Sequence, residues 1–280
     1  MSKRVKTREE RKAELDEAME RLDEGVREVF ESGKWERYLE VMSRFHRYSA
    51  NNSLLIAMQM PTATAVASYT DWKRKFGRQV RKGERGIRIL APVRYRKKVE
   101  DEDVIERLAG FRLVSTFDVS QTDGEPLPQI AELLDGSVER YEQVMGAIEA
   151  ASPVPVGFED MPEGVNGFFS RAERRIAIRP GMSQAQTVKT AIHELAHSRM
   201  HDFDGTTPPE DLPDRATREV QAESVAFVAA SHYGLDTGGY SFGYIAGWAS
   251  GRELDELKAS MDAIRETAHG IIEDIDAALG

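Results

Sequence analysis

Ala191-Ile192-His193-Glu194-Leu195-Ala196-His197 is the stretch from which the organisation of this chain can be worked out. It has the spacing HExxH within a run whose pattern predicts a helix. Residues four apart on a helix lie one above the other, with Cβ atoms ~5–6 Å apart, so His193 and His197 can bind one metal ion. Glu194 then projects beside the metal, where it can act as the general base that takes a proton from an attacking water.

A catalytic zinc site built on two histidines needs a third protein ligand. A second predicted helix downstream carries Glu219 and Glu223, which are also four residues apart and therefore share a face. We assign Glu219 to the metal. Glu223 is placed behind a metal-bound histidine, where it would accept a hydrogen bond from the imidazole and fix its tautomer. The sequence leaves the reverse assignment of the two glutamates open.

Composition narrows the classes of protein to which the chain can belong. It has 280 residues, no cysteine and a net charge of −10. Without thiolates, a zinc site can use only histidine and carboxylate ligands. No apolar run approaches the ~20 residues needed to span a membrane, and the charged N-terminus lacks the apolar core of a signal peptide. We therefore expect a cytoplasmic protein with no membrane partner.

The charge is unevenly distributed along the chain. Residues 35–98 contain fifteen Lys or Arg and four acids, a net charge of +11 within a chain of −10. Basic residues interleaved with aromatic ones suit single-stranded DNA, because cations follow the phosphates and rings stack on unpaired bases. The candidate DNA-binding residues share this basic or aromatic character; they are Arg44, Arg47, Tyr48, Trp72, Lys73, Arg78, Arg81, Lys82, Arg85 and Arg88.

Hydrophobic periodicity predicts an α+β protein. N-terminal helices precede a small antiparallel sheet made of strands at residues 87–95 and 111–119. Further along, a β-hairpin of residues 168–169 and 175–179 precedes the helix with the paired histidines, at residues 183–200. An amphipathic helix, Leu254–Leu279, closes the chain.

The domain boundary is predicted at the Gly-Glu-Pro-Leu-Pro segment, residues 124–128. Residues 1–128 would form a single-stranded-DNA-binding domain, in which residues 1–34 are a helical extension. Residues 129–280 would form the mainly helical domain that carries the metal site.

Several longer stretches of the sequence resemble a known family. Residues 35–39 (WERYL), 45–56 (FHRYSANNSLLI), 59–64 (QMPTAT) and 77–87 (GRQVRKGERGI) look like the N-terminal single-stranded-DNA-binding domain of ArdC-type antirestriction proteins. HELAH, followed by residues 219–227, is similar to their zinc metallopeptidase domain, which is related to the ImmA/IrrE peptidases. The matching stretches lie between residues 35 and 250, so the resemblance implies nothing about the first 34 residues or the last helix.

The resemblance has consequences for fold, partners and cofactor. It implies DNA binding by the first domain, a zincin-like (gluzincin) site with one zinc per chain in the second, and carriage on a mobile element. The substrate would be an unidentified polypeptide. In zincins the strand preceding the metal-binding helix pairs with an extended substrate, which would then lie against residues 176–179.

The chemistry that follows is hydrolysis of a peptide bond. Zinc held by His193, His197 and Glu219 polarises the carbonyl and acidifies a water, and Glu194 moves the proton. Two alternatives stay open. One is a non-catalytic single-stranded-DNA-binding protein that protects incoming DNA and has a structural or vestigial metal site. The other is a metal-dependent nuclease, although a single zinc with a glutamate base fits peptide hydrolysis better than the two-metal clamps of phosphodiester cleavage.

Overall fold

The structure is a computed structural model that describes residues 7–31, 34–98, 104–127, 138–203, 208, 212–240 and 242–280. Contacts divide the chain into two compact units. Unit 1 consists of Met1–Val29 and Asn51–Leu127, and unit 2 consists of Phe30–Ala50 and Pro128–Gly280. The division of functions at residue 128 stays a prediction. What the structure adds is that residues 30–50 pack with unit 2.

Helices and strands are mixed along the chain, which confirms the predicted α+β class. The helices are α1 (Arg8–Val29), α2 (Lys34–Arg44), α3 (Ala50–Gln59), α4 (Tyr69–Lys75), α5 (Val138–Ala151), α6 (Gln184–Met200), α7 (Arg215–His232), α8 (Ile245–Ala249) and α9 (Leu254–Leu279). The strands are β1 (Val66–Ser68), β2 (Gln79–Val80), β3 (Ile87–Lys98), β4 (Val104–Asp118), β5 (Thr122–Asp123), β6 (Val156–Phe158), β7 (Gly167–Ser170) and β8 (Arg175–Ile178). Within the described ranges, no helix combines the length and apolar character needed to cross a bilayer.

Unit 1 is built on the long antiparallel pair of β3 and β4, which confirms the two strands predicted there. Strand β1 pairs with the other edge of β4, and β2 pairs with β5 in a separate small sheet. Asn52 on α3 ties the helix to β3, since its amide donates to the Leu90 carbonyl at 2.9 Å and its oxygen accepts from the Leu90 N–H at 2.8 Å. Residues 99–103, which connect β3 to β4 in the sequence, lie outside the described residues.

Unit 2 contains a three-stranded sheet in the order β6-β8-β7. The antiparallel pairing of β7 with β8 confirms the predicted hairpin. The parallel partner β6 was not predicted, because three residues are too few to carry a periodic pattern. Strand β8 therefore lies in the middle of this sheet.

The helices of unit 2 surround α7, whose side chains are mostly buried. Helix α7 packs against α2, α6 and α9, and α6 also packs against β7 and β8. Two buried indoles fix the register of α7: Trp35 donates to the Ser224 hydroxyl at 3.1 Å and Trp248 donates to the Thr217 hydroxyl at 3.0 Å. Helix α9 has the predicted bounds.

Candidate metal centre

Helix α6 brings His193 and His197 to one place. Ser183 caps the helix by accepting the N–H of Gln186, as expected of a serine at a helix N-terminus. The two imidazoles lie one turn apart, and their Nε2 atoms are separated by 3.1 Å. The side chains are only 27% and 16% exposed, so both nitrogens share one partly enclosed space.

Helix α7 supplies the third candidate ligand. Oε2 of Glu219 lies 3.9 Å from Nε2 of His193 and 3.7 Å from Nε2 of His197. The three ligand atoms all lie within 4.8 Å of one another. Zinc binds nitrogen and oxygen at ~2.0–2.2 Å, which puts neighbouring ligands of a tetrahedral site ~3.3–3.6 Å apart. The donor set and its spacing therefore fit a divalent ion after small side-chain movements.

The ionisation of Glu219 also suits a ligand. Its polar contact with the His197 side chain lowers the pKa of the carboxyl group, while partial burial acts in the opposite direction. A carboxylate must be ionised to bind a metal. The two histidines thus favour the binding form of Glu219.

Glu194 is buried beside the two histidines, with 7% of its surface exposed. Burial raises the pKa of its carboxyl group to about 7; nearby Glu219 adds to the rise, whereas His197 and the backbone N–H of Phe169 oppose it. A general base is most effective when its pKa lies near the working pH. Both the position and the protonation of Glu194 suit the role predicted for it.

A chain of side chains supports His197 from behind. Nδ1 of His197 lies 3.0 Å from Nδ1 of His201, and Nε2 of His201 lies 3.0 Å from Oε1 of Gln221. Gln221 continues the chain by donating to the Ser260 hydroxyl at 3.3 Å. His197 is thus oriented through contacts with α7 and α9.

The sequence predicts Glu223 behind a metal-bound histidine, which stays a prediction, but the residue behind His197 is a different one. His201 takes the position, backed by Gln221. Residues two apart on a helix point in nearly opposite directions, so Gln221 and Glu223 cannot serve the same side of α7. Glu223 instead lines the cleft and accepts a hydrogen bond from the Tyr244 hydroxyl.

A cleft of about 760 Å³ opens over the three candidate ligands. Strand β7, the loop before it, and helices α6 and α7 form its walls. Several basic side chains line it: Arg171, Lys189, Arg215 and Arg218. Tyr240 also lines it, and its hydroxyl is buried without a hydrogen-bond partner among the described residues. Burial raises the pKa of Tyr240, so the hydroxyl keeps its proton and can donate.

The sequence predicts a substrate strand beside residues 176–179, and this prediction is wrong. Both edges of β8 are occupied, by β6 and by β7. Strand β7 lies at the edge of the sheet, and within the described residues no strand pairs with its outer side. Three of its residues, Gly167, Phe168 and Phe169, line the cleft. The edge available to a peptide is therefore that of β7.

Gly167 allows β7 to lie directly against the helix of the metal centre. A Cβ atom at this position would lie 2.6 Å from Cγ2 of Thr190, 3.1 Å from the Ala177 carbonyl oxygen and 3.2 Å from Cγ of Glu194. No side chain fits such spacing without displacing its neighbours. A glycine inside a strand is the sequence signal for such an approach.

Two of the predicted DNA contacts are structural. Trp72 is 1% exposed and donates from its indole to the Phe117 carbonyl at 2.7 Å. Arg78 is 8% exposed, and its guanidinium donates to the Thr122 hydroxyl and to the Gly124 carbonyl. Both predictions are wrong for this fold, because the indole belongs to the core of unit 1 and the guanidinium holds the chain beside β5.

The remaining predicted contacts are accessible to different degrees. Lys73, Lys82 and Arg85 are exposed. Arg81 forms an ion pair with Glu84, and Arg88 forms one with Glu14.

Three other predicted contacts belong to unit 2. Arg44 forms an ion pair with Glu40, and Arg47 forms one with Glu273. The ring of Tyr48 packs edge-on against Phe45. Their role in DNA binding stays a prediction.

Two exposed aromatic rings near α4 were not among the predicted DNA-binding residues. Tyr69 is 51% exposed and Phe76 is 44% exposed, and between them α4 presents Lys73, Arg74 and Lys75 to solvent. With Trp72 these rings have three- and four-residue spacing, which predicts that all three are buried. The helix has only seven residues, so its centre is covered and its ends are not.

Comparison with known proteins bears on both units. Residues 6–126 match the family model for the N-terminal domain of anti-restriction factor ArdC. The uncharacterized protein pXO2-81 of Bacillus anthracis is 27% identical over an alignment 317 positions long, which covers 97% of this chain and 53% of that protein. The chain thus spans about half the length of that relative.

Crystal structures of the ArdC protein from the R388 plasmid share this fold. The Mn(II)-bound structure has a TM-score of 0.59 and 17% identity, covering 93% of this chain and 97% of that chain. The metal-free structure has a TM-score of 0.51 and 19% identity, covering 82% and 84%. The chain therefore resembles antirestriction ArdC in its N-terminal sequence and in fold along most of its length.

Proposed function

We propose that the chain is a single-stranded-DNA-binding, zinc-dependent metallopeptidase-like antirestriction protein of a mobile element. The observation that carries this proposal is the convergence of His193, His197 and Glu219 on a cleft that also holds the buried carboxyl group of Glu194. The likeness to the R388 ArdC protein, which was crystallised with Mn(II), supports the antirestriction role and a divalent ion.

The proposed reaction is hydrolysis of a peptide bond. His193, His197 and Glu219 would hold the ion, whose Lewis acidity polarises a carbonyl and makes a water easier to deprotonate. Glu194 accepts the proton of the attacking water and then donates it to the leaving nitrogen. Its pKa of about 7 suits both steps at neutral pH. His201 holds the imidazole of His197 in position.

The substrate is proposed to be an extended polypeptide that pairs with the outer edge of β7. Main-chain hydrogen bonds would provide affinity, as in other cases of strand addition. The Tyr240 hydroxyl is a candidate donor to the oxyanion that develops during attack. Since Lys189, Arg215 and Arg218 line the same cleft, we expect a preference for acidic side chains near the scissile bond.

DNA binding is assigned to unit 1, on the surface around α4. Tyr69 and Phe76 would stack on unpaired bases, while Lys73, Arg74 and Lys75 follow the phosphates. These side chains are exposed and close in sequence. The match of residues 6–126 to the ArdC N-terminal domain supports this assignment.

The experiment is a search for cleavage products in a pool of unfolded proteins. Wild type and Glu194→Gln are incubated with the pool and zinc, new termini are identified by mass spectrometry, and single-stranded DNA is run on a gel in parallel. We expect new peptide termini with wild type only, and intact DNA with both.

Three other outcomes would change the assigned base or the assigned class of function. Peptide cleavage that survives in Glu194→Gln would remove Glu194 from the role of base. DNA fragments that require Glu194 would indicate a nuclease. Protection of incoming DNA in cells that is equal for wild type and Glu194→Gln, without any peptide cleavage, would favour the non-catalytic DNA-binding protein.

A further inference from the structure

The six histidines of the chain form two groups of three. One group, His193, His197 and His201, belongs to the metal centre described above. The other group lies elsewhere in unit 2 and consists of His46 after α2, His232 at the end of α7, and His269 on α9. The proposed function does not use this second group.

The second group has the geometry of a ligand pair. Nδ1 of His46 lies 3.1 Å from Nδ1 of His269, the same separation as between the Nε2 atoms of His193 and His197. Glu273 follows His269 by one helical turn on α9. One ligand atom from each of His46, His269 and Glu273 lies within 4.8 Å of the other two.

We propose that His46, His269 and Glu273 form a second site for a divalent ion of the zinc class. Two imidazole nitrogens and one carboxylate oxygen are a donor set that zinc accepts, and neighbouring ligands of a tetrahedral ion lie ~3.3–3.6 Å apart. His46 is 6% exposed, whereas the side chain of Glu273 is 44% exposed. The site thus has a closed inner side and a surface side through which an ion can enter.

His232 supports the inner side of this second site. Its ring packs edge-on against that of His46, with centroids 4.8 Å apart. Nδ1 of His232 lies 3.0 Å from the Ser43 carbonyl oxygen and donates to it. This hydrogen bond fixes the tautomer and the ring plane of His232, which in turn limits the orientations open to His46.

Arg47 competes with an ion for Glu273. Its guanidinium donates to Oε1 of Glu273 from two nitrogens, at 3.0 and 2.8 Å. The Arg47 side chain is 71% exposed, so it can leave Glu273 without any rearrangement of the core. Binding of an ion must displace or share this guanidinium, and removing Arg47 should therefore strengthen binding.

The role that fits this position is structural. The ligands come from the segment after α2 and from α9, so an ion would join two distant parts of the chain within unit 2. An ion that binds only the folded protein stabilises it in proportion to the logarithm of its concentration. We expect zinc to raise the unfolding temperature of unit 2 through this site.

The test uses the full chain with the first centre removed, so that the two sites are distinguished. Zinc is titrated into the His193→Ala/His197→Ala variant and into the same variant carrying His269→Gln, with circular dichroism to confirm that both are folded without metal. Bound zinc is measured by equilibrium dialysis and the unfolding temperature by calorimetry. We expect one zinc per chain and a zinc-dependent rise in unfolding temperature in the first protein, and neither in the second.

Arg47→Met in the His193→Ala/His197→Ala background is the matched variant, because it keeps the aliphatic stem and removes the charge. We expect zinc to bind several-fold more tightly. If the background protein binds no zinc with or without Arg47→Met, the pair is only a hydrogen bond between imidazoles and the proposal is overturned. Zinc binding that survives His269→Gln would overturn it as well.

Discussion

Oε2 of Glu219 lies 3.7 Å from Nε2 of His197, although the two residues belong to different helices. The distance depends on the packing of α6 against α7 and on the register of α7. That register is fixed by the hydrogen bonds from Trp35 to Ser224 and from Trp248 to Thr217. The candidate ligands are thus positioned by rigid helices rather than by loops, an arrangement that suits a preorganised site.

Glu194→Gln tests the assignment of the base. The amide keeps the size of the side chain but cannot accept the proton, so peptide hydrolysis should fall by about 100- to 10,000-fold, the usual range for a general base. Zinc content should be unchanged because Glu194 is not a ligand. Turnover and metal content measured on the same samples check both points, and loss of zinc together with activity would contradict the assignment.

Gly167→Ala tests the close packing of β7 against α6. The new methyl group would overlap Thr190 and crowd Glu194, so we expect a loss of about 1–3 kcal/mol in unfolding free energy and a loss of activity. Gly157→Ala, in β6 of the same sheet, is the control, since nothing lies within 4 Å of a Cβ there. Chemical denaturation checks both variants; equal effects at the two positions would argue against the overlap.

The rings at the ends of α4 should bind DNA, whereas the ring at its centre should stabilise the fold. Tyr69→Ala or Phe76→Ala should each weaken single-stranded DNA binding about tenfold, within the ~1–3 kcal/mol that stacking on one base contributes. Neither change should alter the unfolding temperature much. Trp72→Ala should lower unfolding free energy by about 3–5 kcal/mol, as expected for a buried aromatic ring.

Fluorescence anisotropy with a labelled oligonucleotide and thermal unfolding separate these effects. Unchanged DNA affinity in the Tyr69→Ala/Phe76→Ala double variant would exclude the surface around α4 as the binding face.

In acidic solution, protonation of Asp214 should make the unfolding free energy of unit 2 depend on pH. Hydrogen bonds from Thr217 and Arg252 lower the pKa of its carboxyl group from 3.8 to about 2. A carboxyl group whose pKa is lowered by folding stabilises the folded state above its unfolded pKa, and this contribution is lost as pH falls from 3.8 towards 2.

Two variants separate the charge of Asp214 from its role as a helix cap. Asp214→Ala should cost about 1 kcal/mol at neutral pH, whereas Asp214→Asn keeps a side chain that can cap. The difference in unfolding free energy between wild type and Asp214→Asn should shrink as pH falls from 3.8 towards 2. If this difference in unfolding free energy does not change with pH, the ion pair between Asp214 and Arg252 contributes nothing to stability.

The parts of the fold that were predicted from the sequence are those with a local signal. The spacing of His193 and His197, the strands β3 and β4, the β7–β8 hairpin and the bounds of α9 all follow from periodicity and caps within one segment. The central position of β8 could not be predicted, because β6 is only three residues long and lies upstream, before the hairpin. Strand order depends on contacts that no local pattern records.

The same limit applies to single side chains. Tyr69, Trp72 and Phe76 have equivalent spacing, yet only Trp72 is buried, because the surroundings of the short helix cover its centre alone. Likewise, the i, i+4 rule places Glu219 and Glu223 on one face of α7 but cannot say which residue stands behind His197. That contact depends on His201 and Gln221, which meet only when α6 packs against α7.

The most direct test of the central claim is the metal content of purified protein, measured by elemental mass spectrometry after zinc is added and excess is removed. Wild type is compared with Glu219→Ala and with Glu223→Ala. We predict that Glu219→Ala holds one zinc per chain fewer than wild type and that Glu223→Ala holds the same amount as wild type. Equal zinc in wild type and Glu219→Ala, or loss of zinc in Glu223→Ala alone, would contradict the centre formed by His193, His197 and Glu219.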